Sequence, residues 1–214
     1  MAKVEEVEFD DISPAGIAQY PALLKPDTKF DELGVYKVNL VLSETDAAPL
    51  MDKLKGMLAD KLTELEDELN PEQLAKAQSN THLPFSKEYE EDNKTPTGNI
   101  VFKFKTKAAF VSKRDGKVIE KKMTIVDSKK KRMYDVAVGG GSKIKVAFTM
   151  RTFYMAAIGA GVSARLGAVQ VLELREYTDG NAASGMFGEE EGFEAEADVA
   201  SGFDAPAAGA GVDL

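Results

Sequence analysis

The sequence predicts a mainly β domain, a small closed barrel of five strands with one inserted amphipathic α-helix, followed by a disordered acidic tail. Three patterns carry that reading. Several segments alternate apolar and polar residues with period two, as half-buried strands do. One segment repeats leucine at helical spacing, and past Gly180 the composition turns to Gly, Ala, Glu and Asp with no apolar periodicity. In 214 residues, 43% of them hydrophobic, there is room for one folded domain of ordinary size with appendages. The division drawn is a domain over residues 1–178 and a tail over 179–214.

Taken in order, Gly34 to Leu42 places Tyr36, Val38, Leu40 and Leu42 on one face of a strand and Lys37 on the other. Ser43 to Asp46 offers helix-capping side chains and Pro49 suits a first turn. Leu50, Leu54, Leu58, Leu62, Leu65 and Leu69 then recur at helical spacing, and a shorter helix follows from Pro71 to Ser79, so the helical insertion spans about 46–79. Residues 80–98, with Pro84, Pro96 and Gly98, read as a long loop. Ile100 to Val111 alternates, Arg114 to Lys117 makes a hairpin turn, and Val118 to Val126 returns. A triple glycine, Gly139 to Gly141, precedes a strand from Ser142 to Phe153, and Ala164 to Tyr177 is the last. Five strands with an early helical insertion match, by analogy, the oligonucleotide-binding (OB) architecture.

With no Cys there is no disulfide framework, thiolate metal site or cysteine nucleophile, and a reducing cytoplasm is the expected compartment. No apolar run approaches the roughly 18 residues that span a bilayer, so a soluble protein with no membrane partner is expected. The net charge of −9 conceals an uneven split: residues 99–151 hold 15 Lys or Arg against 4 acids, whereas residues 179–214 hold 9 acids and no base. Charge placed this way points to a polyanion met by one part of the chain only.

Two strands carry the sharpest signal. In one, Phe102, Phe104, Thr106, Ala108 and Phe110 face inward while Lys103, Lys105 and Lys107 face out; in the other, Ile144, Val146, Phe148 and Met150 alternate with Lys143, Lys145, Thr149, Arg151 and Phe153. Like charges side by side on a sheet are unfavourable until a polyanion neutralises them. Cations that track phosphates beside rings that stack on bases are how single strands are held without regard to sequence. Lys129, Lys130, Lys131 and Arg132 form a basic loop close by in sequence, and Tyr134 and Tyr154 are further rings near the site. The bland alternative is a solvated lysine face on an edge strand.

Other constellations are weaker. Gly139 to Lys143 lacks the Walker spacing and precedes a strand, so it reads as a tight turn. His82, the only histidine, lies in a polar stretch and reads as an ordinary surface residue. Asp127 and Asp135 flank the basic loop and are the one pair from which a metal-dependent nuclease can be imagined, although carboxylates so placed usually complement the charge. No nucleophile and base are paired, so no catalytic residue, metal or cofactor is expected.

Lys25-Pro26-Asp27, Gly34 to Val38, Phe102 to Lys105, Val126 to Lys129, Gly139 to Val146 and the region Gly159 to Leu174 resemble, in order, the single-stranded DNA-binding proteins of short-tailed coliphages. The resemblance implies an OB fold, no catalytic activity, and roles in phage DNA replication, recombination, repair and strand annealing within the infected bacterial host. It implies a homodimer, with the phage DNA polymerase and helicase-primase as partners. Lys103, Lys105 and Phe153 match positions that contact DNA in that family; an aromatic of the family is replaced here by Lys107, which favours phosphate contact over stacking there. The family's acidic tail ends in an aromatic that binds partners and competes with DNA. The candidate tail residues here are Glu189, Glu190, Glu191, Phe193, Phe203, Asp213 and Leu214, with acids more sparsely set and either Leu214 in the terminal place or Phe193 or Phe203 in its stead as the apolar anchor. Two other readings stay open: the nuclease, and a protein whose lysine face docks an acidic protein.

Overall fold

The computed structural model describes residues 8–90, 92 and 94–175. Its strands and helices in chain order are β1 (Glu8–Ile12), β2 (Gly16–Asp27), β3 (Val35–Ser43), α1 (Glu44–Glu68), α2 (Pro71–Ser79), β4 (Thr81–His82), β5 (Phe85–Tyr89), β6 (Pro96–Lys107), β7 (Ala109–Val111), β8 (Val118–Glu120), β9 (Thr124–Val126), β10 (Lys143–Met155) and β11 (Gly159–Glu173). β2 pairs with β3, β3 with β6, β6 in parallel with β11, β11 with β10, and β10 with both β1 and β2. The sheet therefore closes on itself. β1 and β2 act as one bent strand, and the ring has the five-stranded OB-like form that the sequence predicts.

The bend is stitched to its neighbour by Ser13, which is buried; its amide donates to the Val146 carbonyl at 2.8 Å and its hydroxyl accepts from the Val146 amide at 2.9 Å. Inside the ring, Phe104 packs on Phe148 with ring centroids 4.8 Å apart and on Phe102 at 6.4 Å, among Val38, Leu40, Ile144, Val146 and Met150. Each of these fully buried side chains contributes about 1.5–3 kcal/mol by leaving water. α1 starts where the Ser43 hydroxyl accepts from the Asp46 amide at 3.1 Å, and its apolar stripe, Ala47, Leu50, Leu54, Met57, Leu58 and Leu65, joins the same core. α2 opens on a reciprocal cap between Asn70 and Gln73, with Pro71 in the first turn.

Four readings of the sequence are corrected. The first barrel strand lies before Gly34, where the sequence shows no strand alternation, because Pro21 and Pro26 sit within it, Tyr20 takes φ 49°, and the pairing with β3 shifts register twice. Residues 118–126 are not a barrel strand returning along 100–111. The chain leaves the barrel after Ala108, β7 and β8 pair as a separate two-stranded sheet, and β9 joins β11 in parallel. Phe110 consequently lies outside, with the Lys121 ammonium 5.2 Å from its ring centroid. Residues 80–98 are not all loop: β4 pairs with β11 and β5 with β6, and Phe85 packs on Phe102 at 5.5 Å.

Candidate nucleic-acid interface

The register of the barrel brings the outward cations together. Lys37 on β3 stands opposite Lys105 on β6, Lys105 opposite Arg165 on β11, and Arg165 opposite Thr149 on β10, a row across four strands. Two residues along, Asn39 faces Lys103 and Arg151 faces Ser163; beyond them Phe153 faces Gly161. On the other side of the row Val35 faces Lys107, Lys145 faces Gln170, and Lys143 faces Glu173. Between them Ala147 pairs with Ala168 and Phe148 with Leu166, leaving Gly167 as the extra residue of a bulge. A Cβ at Gly167 would sit 3.0 Å from the Ala147 carbonyl oxygen, which makes glycine the residue that fits.

Some of these cations are already matched. Lys37 pairs with Asp27, Lys107 with Asp31 at 3.6 Å, Lys143 with Glu173 at 3.3 Å and Arg151 with Glu8 at 3.5 Å. The hydrogen bond from Lys37, seconded by the Lys29 amide, holds the Asp27 carboxyl below the usual aspartate range. Exposed pairs of this kind contribute about 0–1 kcal/mol and yield readily to a stronger anion. Among the described residues no carboxylate pairs with Lys103, Lys105, Lys145 or Arg165.

The basic loop is held against this face. The Asp127 carboxylate accepts from the amides of Lys129 and Lys131, both at 2.8 Å, Lys130 adopts φ 65°, and the Gln170 side chain donates to the carbonyls of Asp127 and Ser128 at 3.2 and 3.1 Å. Gln170 pairs with Lys145 across β10, so Lys129, Lys130, Lys131 and Arg132 extend the cationic face at its Lys145 end. The Asp127 carboxylate is thereby engaged in shaping the loop. Asp135, at φ 55°, lines a cleft of about 650 Å³ with Tyr134, Leu23, Tyr36 and Ile125. Among the described residues no three His, Asp or Glu side chains gather as a metal site.

Phe153 is half-buried on the outer face as parity predicts. The same parity turns Tyr154 inward: it packs against the core, so it is removed from the stacking surface. Tyr134 is 72% exposed but belongs to no strand and lines the cleft just described. Arg165 escaped the sequence reading, because nothing in its own Gly- and Ala-rich segment marks it; only the parallel pairing with Lys105 puts it in the middle of the face. The tail residues Glu189, Glu190, Glu191, Phe193, Phe203, Asp213 and Leu214 lie outside the described residues.

Comparison with known proteins agrees with this geometry. The family described as "Single-stranded DNA-binding protein, Bacteriophage T7" matches residues 15–174. The single-stranded DNA-binding protein of Escherichia phage T7 is 31% identical over 182 residues, covering 78% of this chain and 77% of that protein. That of Enterobacteria phage T3 is 31% identical over 178 residues, covering 75% and 74%. The crystal structure of gp2.5, a single-stranded DNA-binding protein encoded by bacteriophage T7, superposes with a TM-score of 0.63 at 27% identity, covering 89% of this chain and all of that one. With three quarters of its length matched in order, the chain belongs to the bacteriophage T7 single-stranded DNA-binding protein family.

Proposed function

We propose that this chain binds single-stranded DNA without regard to sequence, coating it during phage replication, recombination and repair in the cytoplasm of the infected bacterium. The observation that carries the reading is the outer wall of β3, β6, β11 and β10, where Lys103, Lys105, Lys145 and Arg165 share one face with Phe153 and have no carboxylate paired to them among the described residues. A phosphate backbone supplies the missing anion, and its bases find Phe153 at the end of the wall. The backbone contacts are electrostatic, so binding is sequence-tolerant and weakens steeply with salt. No step of this function requires a catalytic group, metal or cofactor.

The acidic residues of 179–214 complete the reading: they occupy the cationic wall as a polyanion when DNA is absent, and once displaced they recruit the DNA polymerase and helicase-primase, with the chain acting as a homodimer. Fluorescence anisotropy of labelled oligo-dT over a salt titration tests both parts, using the full chain and a truncation ending at Thr178. Tighter binding by the truncated chain, with both forms weakening as salt rises, is the expected result. Absence of binding by either form at low salt overturns the single-strand reading and leaves the lysine face as a docking surface for an acidic protein. Equal affinity of the two forms overturns the competing tail alone.

A further inference from the structure

The end of the cationic wall holds a second ring. Phe153 on β10 faces Gly161 on β11, and Gly161 in turn faces His82 on β4. All three lie on the outer side, in line with Arg151 and Ser163. A Cβ built on Gly161 would stand 2.6 Å from Cζ of Phe153 and 2.9 Å from Cβ of His82, so the two side chains approach each other over the bare glycine. Gly161 is buried beneath them, while His82 is exposed and Phe153 half-buried. His82 Nε2 lies 3.1 Å from the Ile158 carbonyl oxygen. A carbonyl only accepts, so Nε2 carries the hydrogen and the imidazole is tethered to the turn that joins β10 and β11.

We propose that His82 and Phe153 form one two-ring platform on which a base of the bound strand stacks, with Gly161 keeping the space between them clear. The proposal rests on the single-strand reading above and adds to it a base-binding subsite and a residue, His82, that the sequence reading set aside as ordinary surface. The subsite stands four residues along β11 from Arg165, about 13 Å at strand spacing, so a strand whose phosphates meet the cations reaches it without leaving the wall. Both rings are fixed beforehand, one by packing over Gly161 and one by Ile158, which lowers the ordering cost of a stack.

The test uses the full-length chain and two labelled oligonucleotides of equal length, oligo-dT and the same phosphodiester chain made of abasic residues. The wild type is expected to prefer oligo-dT. His82→Ala is expected to lose at least about fivefold in affinity for oligo-dT, the lower end for one base stacked on an aromatic ring, with under about twofold change for the abasic strand, and His82→Phe to restore it. Lys105→Ala is expected to weaken both strands alike. The double variant His82→Ala with Phe153→Ala is expected to lose less than the product of the single losses, because the two rings share one base. Gly161→Ala is avoided, since its Cβ also falls 2.7 Å from the His82 carbonyl oxygen and puts folding at risk. If His82→Ala leaves the ratio of the two affinities at its wild-type value, the platform is overturned while the single-strand reading stands. If the wild type binds neither strand at low salt, both fall together.

Discussion

In one row across β3, β6 and β11 the cross-strand neighbour of a cation is another cation, Lys37 beside Lys105 beside Arg165, whereas along the seam of β1 and β10 it is an acid. There Glu8 faces Arg151, and Asp10 accepts from the Thr149 hydroxyl at 2.7 Å. Both are outer surfaces of one barrel over one core. Opposed like charges on a sheet cost up to about 1 kcal/mol per pair, so the first wall is stable only because burial inside the ring outweighs the repulsion outside it. The seam needs nothing from outside. On the proposed reading, side chains of the wall serve binding at some expense of stability, and side chains of the seam serve stability.

The largest effect comes from emptying the wall. Lys103→Ala, Lys105→Ala and Lys145→Ala together are expected to lower single-strand affinity about a hundredfold at 0.1 M salt and to flatten the dependence of log affinity on log salt by about 2, since each phosphate contact on a single strand contributes a slope of about 0.7. Urea denaturation should show stability unchanged or raised. A fall in stability with affinity intact would show that these lysines act in the fold and that the strand binds elsewhere. The opposite pattern is expected on the seam: Ser13→Ala strips the buried Val146 amide of its acceptor at 2.9 Å and should cost about 1–3 kcal/mol in urea while leaving the salt slope untouched.

Arg165→Ala should fall next, at about fivefold in affinity and about 0.7 in slope, with no loss of stability. It is also the most instructive residue for what a sequence discloses. The strand Gly34–Leu42, the leucine stripe of α1 and the Phe-Lys alternation around Phe102 to Lys105 are legible because each is a local periodicity with a single burial pattern. β2 is not, because Pro21, Pro26 and the left-handed turn at Tyr20 break the alternation that a strand normally shows, and its strand character comes from the edges of β3 and β10. β4 and β5 are too short to carry a period and exist by pairing with β11 and β6. Parity alone puts Lys103, Lys105 and Phe153 on the outer face, but a face assembled from four strands depends on register between segments far apart in the chain. Arg165 and His82 belong to the wall for that reason, and Tyr154 does not.

The smallest effect sharpens the boundary between the two kinds of surface. Glu88 on β5 accepts from the Gln19 side chain at 2.7 Å and from Thr97 and Asn99 at 2.9 Å each, tying β2, β5 and β6 together. The Asn99 hydrogen bond, aided by Thr97 and Gln19 and opposed by partial burial, holds its carboxyl below the usual glutamate range. A carboxyl whose value is lowered by folding adds stability that is fully present above its unfolded value and is lost as the pH falls through the folded one. The contribution of Glu88 is thus complete at pH 7, begins to fade below the ordinary glutamate range of about 4.3, and is lost as the pH falls through the lower folded value. Glu88→Gln should be slightly less stable than the wild type in urea at pH 7, and the gap should narrow as the pH falls below the glutamate range. Because the Glu88 carboxylate is held by the neutral donors Gln19, Thr97 and Asn99 and pairs with no cation of the wall, the same variant should leave the salt slope of binding at its wild-type value. A steeper slope in Glu88→Gln would mean that this carboxylate is part of the field of the wall, and the division between a surface built for an outside polyanion and one balanced from within would have to be drawn elsewhere.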